Sequence, residues 1–169
     1  MLKKQLLITL GLFLFFIQLI EDHKPVESKN GIPVFRWFSL DEVLVNESIG
    51  NFVKDSLLRA PFASPYIEVK WAPLHPNVLG LTTEVADGIF FIQLSRGLTL
   101  EQTQRVLMHE LIHVYQFHHN LLEDLPGHVV RWKGDLYRWS LPWKDRPWEI
   151  NAEAWSDELF KPDDPNLTD

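Results

Sequence analysis

The segment from Leu98 to His119 constrains this chain more than any other. Thr99 and Gln102 have the spacing of a capping box, and the apolar residues Val106, Leu107, Leu111, Ile112 and Val114 predict a helix running to about His118. A helix this apolar buries its middle in a core. That middle nevertheless reads His109-Glu110-Leu111-Ile112-His113, and ionisable groups taken out of water without a partner are costly. Four residues of helix turn through about 400°, so His109 and His113 stand about 40° apart on one face with converging rings, and Glu110 lies about 100° round at its edge. The fold must supply something for these side chains to hold.

Composition narrows what that is. The chain has no cysteine, which excludes disulfides, zinc ribbons and thiolate catalysis and leaves His and carboxylates as the only strong metal ligands. Its 169 residues, 46% hydrophobic and 23% charged, suit one folded domain with a real core. A net charge of −7 lacks the basic footprint of a nucleic-acid binder, so no nucleic-acid partner is expected. Two convergent imidazoles match two ligands of a tetrahedral Zn²⁺ ion, and Glu110 has the position of a general base for a metal-activated water. One Zn²⁺ per chain is therefore expected.

Elsewhere the sequence gives an outline. Lys3 and Lys4 precede an apolar run from Gln5 to Ile20, so residues 1–20 read as a signal-anchor or a signal peptide. As a helix the run rises about 24 Å, short of the roughly 30 Å of a hydrocarbon core, which favours a signal peptide. Its exit into Glu21-Asp22 has no small residues for a peptidase, which favours an uncleaved anchor. The lysines then keep the N-terminus cytoplasmic and the rest extracytoplasmic at the membrane, or exported if cleavage occurs. Residues 21–30 read as a linker and 31–169 as the folded domain. Within it, Ser39 to Glu42 predicts a helix start continuing to about Arg59, Tyr66 to Trp71 a strand, and Asn77 to Glu84 and Ile89 to Ser95 a hairpin about Asp87-Gly88. Asn120 to Trp143 reads as an irregular loop, and Pro147 opens a last helix to about Phe160. The class is α+β: a small antiparallel sheet with one long helix and a C-terminal helix.

A third ligand has to come from outside the first helix. His119 reproduces the spacing of a metzincin third ligand. The turn that pattern needs is marked by a glycine, however, and here Gln116 stands there; no methionine follows Met108 either. On a continuing helix His119 is rotated about 240° from His113 and points away. The last helix offers Glu149, Glu153 and Asp157 four residues apart, an acidic stripe with no basic partner at i+4 within the helix. A cation at one end explains such a stripe.

His109 to His113 with a glutamate on a later helix resembles the gluzincin metallopeptidases. The likeness extends to small bacterial and phage-type proteins reading His-Glu-Leu-x-His-Val-x-Gln, then a tyrosine-bearing loop, then Pro-aromatic-Glu-x-x-Ala. Their counterparts here are His109 to Gln116, Tyr137, and Pro147-Trp148-Glu149 with Ala152. The resemblance implies a minimal zincin-like fold and a zinc-dependent hydrolase, most simply a peptidase acting on a peptide or protein. Glu149 is the third ligand in one register and Glu153 in the other. The outer acid that orients a ligand histidine is then Glu153 or Asp157 respectively. Tyr137 and His128 are candidate donors to the developing oxyanion. The strand before the active helix, Ile89, Phe90, Phe91, Ile92 and Gln93 onward, is implied to be the edge that aligns the substrate. A non-catalytic, membrane-anchored interaction domain that keeps the same fold is the alternative, and intact Glu110 argues against it. Five of the seven tryptophans (Trp132, Trp139, Trp143, Trp148, Trp155) crowd the C-terminal part and are expected to pin the long loop to the core, or to meet a membrane interface.

Overall fold

The computed structural model describes residues 26–27, 33–34, 44–57 and 65–160, and the chain divides into two units, Met1–Trp37 and Phe38–Asp169. In the first unit β1 (Val26–Glu27) pairs antiparallel with β2 (Pro33–Val34). This ladder begins inside the segment expected to be a linker, since two-residue strands are too short to leave an alternating pattern. The apolar run 1–20 and the Ser39–Glu42 box lie outside the described residues. Among the described residues no helix is long and apolar enough to cross a membrane.

In the second unit α1 (Glu47–Phe52) is capped by Asn46, whose side chain accepts from the Ile49 N–H at 2.9 Å. It runs on as a π-helical turn, Val53–Leu57, and Ile49, Phe52, Val53 and Leu57 are buried. Three strands follow: β3 (Tyr66–Ala72), β4 (Gly80–Ala86) and β5 (Ile89–Ser95). The hairpin turns at Asp87-Gly88, where Gly88 takes a φ of 69°. The sheet order is β3-β5-β4, with β3 parallel and β4 antiparallel to β5. The sheet is thus mixed, not antiparallel, and Ile89–Ser95 is its inner strand. The nearly unbroken apolar run of β5 is what an inner strand carries, whereas β4 is richer in polar and small residues and forms an edge.

Phe90, Ile92 and Leu94 alternate onto the face covered by α2 (Leu100–His118), whose Leu107, Met108, Leu111, Ile112 and Val114 are fully buried. The capping box at its start is complete: Thr99 Oγ1 accepts from Gln102 N–H at 3.2 Å, and Gln102 Oε1 accepts from Thr99 N–H at 2.9 Å.

The stretch after α2 is an antiparallel meander, not an irregular loop: β6 (Leu122–Leu125), β7 (Val129–Trp132) and β8 (Asp135–Arg138). Its glycines are the turns. Trp132 pairs with Asp135 across Lys133-Gly134, whose φ values of 48° and 95° are those of a type I′ hairpin loop. Strands of four residues are too short for their periodicity to rise above the surrounding polar residues. After a 3₁₀ turn at Trp143–Asp145, α3 (Pro147–Leu159) starts with proline at N1 and turns Trp148, Glu149, Ala152 and Ser156 inward. The class is α+β, as the sequence implied.

Thr99→Ala removes the side-chain half of the α2 cap. It is expected to cost about 1 kcal/mol of stability, read as a lower urea midpoint with an unchanged slope.

Candidate metal centre

Three side chains from two helices meet at the α2–α3 junction. His109 Nε2 and His113 Nε2 are 3.1 Å apart, and Glu149 Oε2 lies 3.3 Å from the first and 3.2 Å from the second. Ligands at about 2.0–2.2 Å from a tetrahedral ion stand roughly 3.3–3.6 Å from one another, so this near-equilateral triangle has close to the dimensions of one face of such a site. His113 and Glu149 are buried and His109 half-buried. Three electron-rich atoms this close, largely out of water, need positive charge among them. His109, His113 and Glu149 can therefore hold a metal ion.

Protons fill that need when no ion does. Burial alone lowers the His113 ring, but the Glu149 hydrogen bond and the charges of Glu110 and Glu149 outweigh it and raise the ring above its ordinary value. Burial raises the Glu149 carboxyl, and the hydrogen bonds and charges of His109 and His113 overcome this and hold it well below the usual range. The pair behaves as carboxylate and imidazolium, the charge pattern a cation replaces.

Glu110 is buried beside the triangle without joining it. Its Oε2 accepts from Thr82 Oγ1 at 2.7 Å, and the same hydroxyl lies 3.1 Å from the Glu110 main-chain oxygen. Burial lifts its carboxyl above the ordinary range, against the pull of His113, His109 and the Thr82 bond. Thr82 belongs to β4, and Gly80 on the same strand lets that strand approach. A Cβ at Gly80 would come within 2.7 Å of Glu110 Cγ and of Val106 Cγ1.

Gln116 is fully buried one turn beyond His113. Its Oε1 accepts from His113 Nδ1 at 2.8 Å, and its amide nitrogen donates to Trp148 O at 3.1 Å and Asn151 Oδ1 at 3.0 Å. On the outer side of the other ring, Glu153 Oε2 lies 3.9 Å from His109 Nδ1. Arg146 donates to Leu141 O and Trp139 O, both at 2.9 Å, and its Nη1 stands 4.0 Å from Glu149 Oε1.

Other sequence expectations fall elsewhere. Asp157 pairs with Arg105 at 3.0 Å on the surface and does not orient a histidine. The stripe's basic partner comes from α2, not from i+4 on its own helix. His119 hydrogen-bonds Tyr115 O at 2.9 Å and stacks on that tyrosine ring, so it has turned away from the triangle. Tyr137 packs edge-on against Trp148 with ring centroids 5.9 Å apart, and His128 is a turn residue with φ 59°. Neither of these candidate oxyanion donors is among the residues lining the cleft. Ile89, Phe90, Phe91, Ile92 and Gln93 form the inner strand, and the edge is β4. Of the tryptophans, Trp132 and Trp148 are core, whereas Trp139 and Trp143 are exposed on the cleft wall, Trp143 stacked 6.4 Å from the His109 ring.

The cleft holds about 590 Å³, bounded by β4, by the triangle, and by Trp139, Trp143 and Arg146. Comparison with protein-family models, curated proteins and solved structures finds no match to this chain. Sequence reasoning missed Thr82, Gly80 and Arg146, which carry no local signal. It met Gln116 only as a departure from a glycine-bearing pattern and as a member of His-Val-x-Gln.

Gly80→Ala forces β4 away from Glu110 and is expected to cost about 1–3 kcal/mol, read as a lower thermal midpoint. Gly88→Ala, at a turn with open space around it, gives the comparison for a purely backbone effect.

Proposed function

We propose that this protein is a zinc-dependent hydrolase that cleaves peptide bonds. The observation that carries this reading is the His109–His113–Glu149 triangle, with the buried carboxyl of Glu110 beside it and outside it. Two imidazoles and one carboxylate are a ligand set that leaves a fourth position of Zn²⁺ open, and the absence of cysteine fits a catalytic rather than a structural zinc. When bound, the ion supplies a Lewis acid that brings the pKa of a water from 15.7 toward about 7.

The rest is work for this chain's own residues. Glu110, raised by burial toward the working range of a general base, takes the proton of the attacking water and hands it to the leaving amine. Thr82 holds Glu110 through its hydroxyl, which keeps the carboxyl from drifting. Arg146, not Tyr137 or His128, is the cleft cation next to the site and is suited to the developing negative charge.

The substrate edge passes to β4. Ser95 N–H bonds Leu79 O, so the alternation of an antiparallel ladder spends the main-chain groups of Leu81 and Thr83 on β5. Gly80, Thr82 and Glu84 turn theirs to the open side. An extended peptide pairing there runs past Glu110 by β-augmentation.

The test is metal content followed by turnover. Protein purified without chelator is expected to hold one zinc per chain and to cleave an unbiased peptide library. Glu110→Gln is expected to keep the zinc and lose about 10²–10⁴-fold in cleavage rate. A wild-type protein without stoichiometric metal, or a Glu110→Gln variant as active as wild type, overturns the reading. Zinc bound in both without cleavage by either favours the non-catalytic interaction domain.

A further inference from the structure

We infer that Gln116 is a positioning residue that makes the metal-ready form of His113 conditional on the docking of α3. The inference rests on the metal reading of the site, and it adds a dependence between the two helices that the ligand triangle alone does not contain.

The argument starts from what the Gln116 amide can and cannot face. The main-chain oxygen of Trp148, 3.1 Å from the amide nitrogen, is an acceptor only. The NH₂ group must point to it, and the second N–H reaches Asn151 Oδ1 at 3.0 Å. With both donors committed to α3, the amide oxygen is left for His113 Nδ1 at 2.8 Å. An oxygen acceptor there requires the proton on Nδ1. The other nitrogen, Nε2, then faces the point shared with His109 Nε2 and Glu149 Oε2, where it donates to Glu149 while protonated and would give its lone pair to a bound ion. The tautomer that a metal needs is thus dictated by a carbonyl on another helix, relayed through one buried amide.

The same amide grips the turn that delivers the third ligand. Trp148 immediately precedes Glu149, and Asn151 follows on the next half-turn, so both acceptors flank the carboxylate that completes the triangle. If α3 leaves, Gln116 loses both partners and is free to rotate its nitrogen toward His113, which would set the opposite tautomer. If α3 docks, the ring and the carboxylate are readied together. Among the described residues His109 Nδ1 has no such bond: the Glu153 carboxylate stands 3.9 Å away, beyond hydrogen-bond range, on a half-exposed side chain. One ligand ring is fixed by the fold and the other is left adjustable.

The experiment reads the ring directly. In metal-free protein, long-range ¹⁵N–¹H correlation is expected to find a proton on His113 Nδ1, facing the Gln116 carbonyl oxygen. Gln116→Met, similar in volume and without polar hydrogens, is expected to shift His113 toward the Nε2–H tautomer that free histidine favours. It is also expected to weaken zinc binding about 10–100-fold in a chelator competition, with the His109 tautomer unchanged. Gln116→Glu separates the two halves of the role, because a carboxylate accepts from His113 but donates nothing to α3. It is expected to restore Nδ1–H on His113 while the α3 amides lose hydrogen-exchange protection. Should Gln116→Met fail to fold, the Glu variant alone decides between lock and filler, since a packing role predicts no loss of protection specific to α3. Nδ1–H retained in the Met variant with zinc affinity unchanged overturns the inference and leaves the metal reading standing. A wild-type protein that binds no zinc overturns both.

Discussion

Everything in the second unit is arranged around a local conflict: two imidazole nitrogens and a carboxylate oxygen brought within 3.1–3.3 Å of one another in a mostly dry interior. Left alone, such a cluster is worth less than the same volume of hydrocarbon. It persists because rigid elements hold each member. The fully buried residues of α2 fix the histidines against the sheet, and Trp148 and Ala152 seat α3 so that Glu149 has nowhere else to point. The packing is indifferent to the chemistry, yet it determines which chemistry is available.

A second layer of polar contacts makes the arrangement specific. Gln116 joins α2 to α3, Thr82 joins β4 to Glu110, and Arg146 joins the segment before α3 to the rear of the Glu149 carboxylate. The first two cross between elements distant in the sequence, and the third is a local contact three residues apart. The site is accordingly a property of the tertiary fold, and its parts cannot be readied one at a time.

Legibility in the sequence follows from how local each cause is. The α2 cap, the Asp87-Gly88 turn and Pro147 at the start of α3 act over three or four residues, and all stand in the structure where the sequence implied them. The strand order does not, because whether β5 is inner or edge depends on where β3 chooses to pair. Its nearly unbroken apolar run was nonetheless a usable signal. Asp157 misled for the same reason: its partner Arg105 is 52 residues away, and an i+4 rule has no view of it. Within the candidate site the helical spacing of His109 and His113 was readable. The choice between Glu149 and Glu153 was not, since both line the cleft from α3 and only the docked helix brings Glu149 to the Nε2 atoms of both rings while Glu153 meets the outer nitrogen of His109.

The open side of β4 carries one more implication. A row of main-chain donors and acceptors binds any extended chain, with no regard for side chains, including an unfolded stretch of another copy of the same protein. The strand is shielded from that by its own content. Thr82, Thr83 and Glu84 interrupt the exposed apolar residues Leu81 and Val85, and the glycine at its start offers no side chain at all. An edge of such mixed content is a poor template for permanent strand-to-strand stacking.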